Sequence, residues 1–211
     1  MLASFYCVAI GCADGGEGVS LRRRKRQMCN LIPLITMISK EIYKMVNNQI
    51  NAEIWSSYLY LSMSLYAETQ GYSGVSNWFY VQSKEEMDHA RILEKYLMAQ
   101  EQKVKLLPIS EVPTEWASPL AMFRMAMEQE KTVTKRIDEI MHSAQLERDY
   151  ATCSMLSWFV DEQVEEEEQC ANLIQQFEKA SDSPCYFMQI DFELQKRQYE
   201  PSTTKSKKWY S

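Results

Sequence analysis

From residue 37 onward, apolar and polar positions recur with the spacing of α-helices. In the first segment, a stripe at steps of three and four residues comprises Ile42, Val46, Gln49, Glu53, Ser57, Tyr60 and Ser64. Ser39 is a favourable N-cap residue, and Gly71 is a typical stop signal. We therefore predict a first helix that begins after Ser39 and ends near Gly71.

Similar stripes predict three more long helices, at about 76–103, 119–147 and 149–180. Pro119 occupies the first-turn position that proline tolerates. A shorter fifth helix is predicted at 186–198, after Pro184. The stripe of the second helix contains Phe79, Gln82, Glu86, His89, Leu93, Tyr96 and Gln100.

The lengths of the links predict the topology. The first and third links are short, so they should join antiparallel neighbours. The second, residues 103–118, contains Pro108 and Pro113 and can span roughly 50–58 Å when extended. A helix of 28 residues is about 42 Å long. The second link can therefore cross the whole bundle, which predicts an all-α four-helix bundle with one long crossover.

The net charge of −6 is unevenly distributed. Residues 1–36 hold five basic and two acidic residues, which makes that segment +3 and leaves −9 for the remainder. An acidic body argues against nucleic acid, because phosphate binding needs Lys and Arg, but it suits the collection of cations. The six cysteines form no disulfide-like framework, and no apolar run has the length of a membrane helix. We expect a cytoplasmic protein with no nucleic-acid or membrane partner.

Residues 1–36 differ from the rest of the chain. They combine a short apolar run, a glycine-rich patch and the basic cluster 22–26. A signal peptide would carry its positive charge before the apolar run, whereas here the charge follows it. We expect an extension outside the functional fold, with Met37 as the working start; a targeting role is the alternative. The predicted domain is 37–198, and a Lys-rich polar tail follows at 199–211.

Each long helix places a carboxylate on its own core stripe. These are Glu53, Glu86, Glu130 and Glu166, with His89 and Gln163 one turn from the second and fourth. An unpaired ionised carboxylate in a dry core costs several kcal/mol. Four of them at mid-helix need compensation, which a pair of divalent cations would supply.

The spacing and chemistry of these side chains suit a metal. Residues three apart on a helix point the same way, so Glu86 and His89 can bind one ion together. Carboxylates with a single imidazole suit iron, with manganese possible and zinc a competitor. Taken alone, His89 would be read as a core histidine, and the acidic run 165–168 as a solvated face. His142 is expected at the surface, because it lies roughly 18 Å along the helix from Glu130.

Three stretches, residues 53–60, 85–90 and 158–167, together resemble the non-haem ferritins, especially the bacterial type. The resemblance covers about residues 37–198. It implies a ferritin-like bundle, a ferroxidase that oxidises Fe(II) with O2 or H2O2, and storage of the Fe(III) as mineral. It also implies a homo-oligomeric shell of 24 subunits, with the fifth helix at four-fold contacts.

Residue by residue, the resemblance implies two irons per subunit. The first would be bound by Glu53, Glu86 and His89, and the second by bridging Glu86 with Glu130, and with Glu166 or Gln163 nearby. A third iron position would match Glu85, Glu162, Glu165 and Glu166. Tyr60 matches a family tyrosine that could supply an electron; a core aromatic with a satisfied hydroxyl is an equal alternative.

Two departures limit the resemblance. Gln163 and Glu166 stand where haem-binding bacterioferritins repeat Glu-x-x-His, so no haem is expected, although Met87 occupies the place of their haem-ligating methionine. Cys153 and Leu156 stand where animal ferritins carry channel carboxylates, which leaves the iron route open. The rival interpretations are a bacterioferritin or another di-iron oxidase, and a non-catalytic shell subunit.

Overall fold

The computed structural model describes residues 38–202, which form five helices. These are α1 (Lys40–Thr69), α2 (Ser73–Ala99), α3 (Pro119–Glu147), α4 (Tyr150–Lys179) and α5 (Pro184–Leu194). The described range contains no strand, so the predicted all-α class is confirmed. The expectations for residues 1–36 and for 203–211 lie outside the described residues. Within that range, no helix combines the length and apolar character that crossing a membrane requires.

The ends of α2 differ from the prediction of 76–103. The helix begins at Ser73, and its N-cap residue Tyr72 makes no side-chain hydrogen bond to the first turn. Instead, the Val75 amide donates to the side chain of Asp191 in α5 at 2.9 Å. A cap that comes from more than one hundred residues away leaves no local signal in the sequence. At the other end, Glu101 adopts a left-handed conformation with φ 57°, which is incompatible with continued helix.

α5 is shorter than the predicted 186–198. It ends at Leu194, and the chain then runs along α2, where Asn77 donates to the carbonyls of Leu194 and Arg197, both at 3.0 Å. The approach of α5 to α2 depends on Gly74, because a Cβ atom there would lie 1.6 Å from the Asp191 carbonyl oxygen. The close contact of these two helices brings the segment after α5 beside the middle of α2.

The long link crosses the bundle along α1. The Tyr43 hydroxyl, near the start of α1, donates to the Lys103 carbonyl at 2.8 Å. The Tyr66 hydroxyl, near its end, donates to the Trp116 carbonyl at 2.8 Å. Since the link travels the length of α1 before α3 begins, α2 and α3 run parallel. The predicted crossover is confirmed.

The interior is divided into two apolar clusters with a polar layer between them. One cluster contains Phe123, which stacks on Phe79 and on Phe177. The other contains Ile42, Leu93 and further aliphatic side chains of all four long helices. The polar layer lies at mid-helix, where the four stripes carry their carboxylates. His142 is exposed, as expected.

Candidate metal centre

Four helices contribute acidic side chains to the polar layer. Glu53 from α1, Glu86 from α2, Glu130 from α3 and Glu166 from α4 are each at most 2% exposed. His89 joins them one turn beyond Glu86 and is 1% exposed. The stripes therefore assigned these residues to the interior correctly.

The first group of potential ligands is Glu53, Glu86 and His89. One ligand atom from each lies within 4.8 Å of the other two. His89 Nδ1 is 3.6 Å from Glu86 Oε2, as expected for residues three apart on one helix face. These are the residues that the sequence analysis assigned to a first iron position.

A second group consists of His89, Glu162 and Glu166, again with ligand atoms within 4.8 Å of one another. The His89 Nε2 atom lies 3.9 Å from Glu162 Oε1. The imidazole thus faces one carboxylate group with each ring nitrogen, and the edge-on ring of Trp158 packs against it with centroids 5.4 Å apart. Glu162 is buried and lies in the same layer as the other ligands.

Glu130 is bound by its neighbours on α1 and α4. The Tyr60 hydroxyl donates a short hydrogen bond to Glu130 Oε1. Gln163 donates to Glu130 Oε2 at 3.3 Å and to Thr134 Oγ1 at 3.3 Å. Tyr60 is fully buried, so its hydroxyl reaches the layer from within the aromatic cluster. Tyr60, Glu130 and Gln163 are therefore brought together, as the resemblance implied.

Two glutamines that were not predicted as site residues donate to the carboxylates. Gln49 Nε2 donates to Glu53 Oε1 at 2.9 Å. Gln82 Nε2 donates to Glu86 Oε1 at 3.3 Å and to Glu166 Oε2 at 2.8 Å. The signal was present in the sequence, because each glutamine precedes its glutamate by four residues, one helical turn.

Burial dominates the proton affinity of the layer. Burial, followed by the negative charge of Glu86, raises the pKa of Glu53 and of Glu130 from 4.5 to about 8. Burial also raises the pKa of Glu86 and Glu166; the charge of Glu166 adds to the effect on Glu86, and the charge of Glu130 adds to the effect on Glu166. For Tyr60, burial and then the charge of Glu130 hold the pKa well above its ordinary value.

The arrangement fits divalent cations. Among the described residues, Glu53 Oε2 and His89 Nε2 are buried and make no hydrogen bond. Buried polar atoms normally have a partner, so each of these has an open coordination valence. Carboxylate oxygens with one imidazole nitrogen form a donor set suited to iron. Two doubly charged ions would neutralise the four ionised carboxylates.

Two predicted ligands of a third iron position lie outside both groups. Glu85 is half-buried and pairs with Arg197, whose Nη2 is 2.5 Å from Glu85 Oε2. Glu165 is exposed and accepts from Gln169 at 3.1 Å. Arg197 was not predicted as part of the site, and no sequence signal links it to a residue 112 positions earlier.

Comparison with known proteins agrees with this geometry. Residues 43–180 match the Ferritin-like domain family. A bacterial non-heme ferritin of Bacteroides fragilis is 41% identical over 161 residues, 76% of this chain and 100% of that protein. One from Staphylococcus aureus is 34% identical over 131 residues, 62% of this chain and 79% of that protein.

The solved structures give the same result. The open pore ferritin of the archaeon Archaeoglobus fulgidus superposes with a TM-score of 0.76 at 41% identity, covering 78% of this chain and 100% of that one. The chain therefore belongs to the ferritin family of iron-storage proteins. The four-helix bundle predicted from the resemblance is confirmed.

Proposed function

We propose that this ferritin subunit is a ferroxidase, which oxidises Fe(II) at the carboxylate–histidine layer before the Fe(III) is stored. The observation that carries the proposal is the convergence of buried Glu53, Glu86, His89, Glu130 and Glu166 from four helices. Buried carboxylates of this kind destabilise the fold when no cation is bound and stabilise it when cations neutralise them. A subunit that only supports mineral formation would not need a cluster of buried carboxylates that lowers its stability.

In this proposal the first Fe(II) binds to Glu53, Glu86 and His89. The second binds to Glu86 and Glu130, with Glu166 or Gln163 close by. Glu86 is suited to bridging, because its charge is the strongest Coulombic influence on both Glu53 and Glu130. A side chain placed between the two halves of the layer can hold both ions at once. The remaining predicted ligands, Glu85, Glu162, Glu165 and Glu166, would form a third position once Glu85 is released from Arg197.

The reaction moves two electrons. Two Fe(II) each lose one electron, and O2 takes up both with two protons to give H2O2. The residues act as a template that places both donors beside one oxidant, which replaces a three-body encounter with a single binding event. Tyr60, in contact with Glu130, is proposed to supply one further electron with its phenol proton; with an electron from another Fe(II) and one more proton, this would reduce the H2O2 to two H2O and leave a tyrosyl radical. The structural alternative is a core aromatic whose hydroxyl is satisfied by that contact.

Adding Fe(II) to the iron-free protein should consume O2 in a rapid phase that saturates near two or three irons per subunit. Saturation is expected because binding to the layer precedes oxidation. An oxygen electrode beside an absorbance record of Fe(III) measures both quantities. Repeating the addition without O2 and with H2O2 identifies the preferred oxidant. A linear trace equal to that of protein-free buffer would contradict the ferroxidase proposal and favour a non-catalytic subunit.

We further propose a cytoplasmic homo-oligomer of 24 subunits around a mineral cavity. Large apolar side chains are exposed on the isolated subunit, among them Leu65, Met188 and Phe192. Met188 and Phe192 are four residues apart, so they share one face of α5. A shell in which α5 meets its copies at four-fold contacts would bury that face.

The proposed domain is 37–198, with residues 1–36 outside the functional fold. A chain that begins at Met37 should therefore form particles of the same size and oxidise iron at the same rate as the full chain. Light scattering and the oxygen electrode measure the two properties side by side. Loss of assembly or of most of the rate would place the segment within the fold, and an unchanged result would leave a targeting role for it.

A further inference from the structure

The segment that follows α5 carries an arginine to the edge of the metal centre. Arg197 lies over the ring of Trp78, with its guanidinium carbon 4.6 Å from the ring centroid, and donates to the Trp78 carbonyl at 3.3 Å. Its Nη2 atom donates to Glu85 at 2.5 Å and to Gln82 Oε1 at 3.0 Å. The side chain is only 18% exposed. The Arg197 guanidinium thus binds neutral Gln82 and acidic Glu85, which both lie on α2 within one turn of Glu86.

The position of Arg197 is fixed on both sides. Before it, Asn77 binds the carbonyls of Leu194 and of Arg197 itself. After it, the Tyr199 hydroxyl and the Ser202 amide both donate to Asp88 Oδ2. Hydrogen bonds to α2 on both sides of Arg197 therefore fix the backbone that carries the guanidinium.

Arg197 determines which way the Gln82 amide points. A guanidinium group has only donors, so the amide oxygen must face it. The amide nitrogen must then face the other way, toward Glu86 and Glu166, to which it donates. Without the guanidinium, the amide could turn its oxygen toward two carboxylates, and this would disfavour their ordered arrangement.

Arg197 also occupies the carboxylate of Glu85. Glu85 and Glu166 are joined by a short chain of hydrogen bonds: Arg197 Nη2 donates to Glu85 and to the Gln82 oxygen, and the Gln82 nitrogen donates to Glu166 at 2.8 Å. A cation bound between them would have to take Glu85 from the guanidinium and would meet its positive charge. The arginine therefore stands where it competes with a third iron.

We propose that Arg197 is a positioning residue of the iron centre, which holds Glu85 away from a third Fe(II) and orients Gln82 toward Glu86 and Glu166. The inference rests on the proposed ferroxidase centre, which supplies the two main iron positions. It predicts that the subunit binds two Fe(II) ions and that the third position opens only when the Arg197–Glu85 pair is broken.

The test is anaerobic Fe(II) binding to the iron-free assembled protein, measured by equilibrium dialysis, so that no oxidation contributes. The unchanged protein should bind two ions per subunit. Arg197→Gln, which keeps an apolar stem on Trp78 but carries no charge, should bind three. Arg197→Lys should return the number to two, because an ammonium still neutralises Glu85. Adding Glu85→Ala to Arg197→Gln should remove the third ion again.

Arg124→Gln is the matched control. Arg124 pairs with Glu178 at 2.8 Å, but both side chains lie at the surface, at 59% and 48% exposure. Loss of that pair removes the same charge without touching the centre, so binding should stay at two ions. If the loss of positive charge acted only through the net charge, Arg197→Gln and Arg124→Gln would bind the same increased number of Fe(II) ions. That result would overturn the inference.

Other outcomes are equally decisive. Two ions in both the unchanged protein and Arg197→Gln would refute the role of Arg197 and leave the ferroxidase centre intact. Fewer than two in the unchanged protein would refute the centre itself. If Arg197→Gln failed to assemble, crystals of the unchanged protein soaked anaerobically in Fe(II) would decide. Two anomalous peaks with the Arg197–Glu85 pair intact support the inference, and a third peak ligated by Glu85 overturns it.

Discussion

Glu86→Ala should abolish the rapid phase of Fe(II) oxidation, whereas Glu165→Ala should leave it within about two-fold of the unchanged protein. Glu86 is 1% exposed, and its charge is the strongest Coulombic influence on both Glu53 and Glu130, so loss of this proposed bridge should disconnect the two irons. Changes to residues that merely support a metal ligand cost about 10–100-fold, and loss of a bridging ligand should cost at least about 100-fold. Glu165 is exposed, where substitutions change free energies by about 0.5 kcal/mol or less.

The measurement is the initial rate of O2 consumption at two Fe(II) per subunit. Glu86→Gln is the volume-matched variant: it fills the same space, but its neutral amide cannot bridge two cations as an anion does. Circular dichroism should show unchanged helix content in all three variants, because removal of one buried carboxylate from an iron-free centre relieves repulsion. Equal losses for Glu86→Ala and Glu165→Ala would show that the roles of these residues are wrongly assigned. Slow later transfer of iron in Glu165→Ala alone would agree with a role of this exposed carboxylate after oxidation.

The iron-free protein should become less stable as the pH rises from about 5 to about 8. In the folded state the pKa of Glu53 and of Glu130 is about 8, against 4.5 for an exposed glutamate. Between these values the folded chain binds more protons than the unfolded chain, so the free energy of unfolding falls with pH. The stabilisation is complete below pH 4.5 and is lost as the pH passes 8. The two groups together lose about 5 kcal/mol of stabilisation between pH 6 and pH 8, which would lower Tm by about 10–20 °C.

Scanning calorimetry of the iron-free protein at pH 6 and pH 8 measures this difference. The double variant Glu53→Gln with Glu130→Gln should show a smaller decrease, because amides of the same size do not titrate, while Glu86 and Glu166 still do. Zn(II), which binds the ionised carboxylates without redox chemistry, should raise Tm more at pH 8 than at pH 6. A Tm that rose from pH 6 to pH 8 in the iron-free protein would contradict the assignment of buried, protonated carboxyls.

The stripes of the sequence were sufficient to place the bundle and the polar layer. Glu53, Glu130 and Glu166 each stand where an apolar side chain would continue the pattern, and all three are buried. Helical periodicity determines which side chains of a helix share one face, and that face is the one that packs inward. The length of the link at 103–118 was then sufficient for the link to cross the bundle, and the structure shows that it does.

The boundaries of α2 could not be predicted, because the cap of its first turn is tertiary. Asp191 reaches the Val75 amide from α5, and the close approach that permits this needs the missing side chain of Gly74. Local signals describe caps within a few residues of a helix end. A partner contributed by another helix is visible only when the two are packed together.

The same limit applies to the metal centre. The sequence determined that glutamates and one histidine lie at the core of four helices, because residue spacing alone decides the inward face. The tertiary structure decided how these side chains are shared: Glu162 faces His89 Nε2, Tyr60 contacts Glu130, and Glu85 is taken by Arg197. Those pairings depend on the rotation and offset of each helix against its neighbours and on where the chain returns after α5. Such quantities are set by the packing of the whole bundle, and no single helix encodes them.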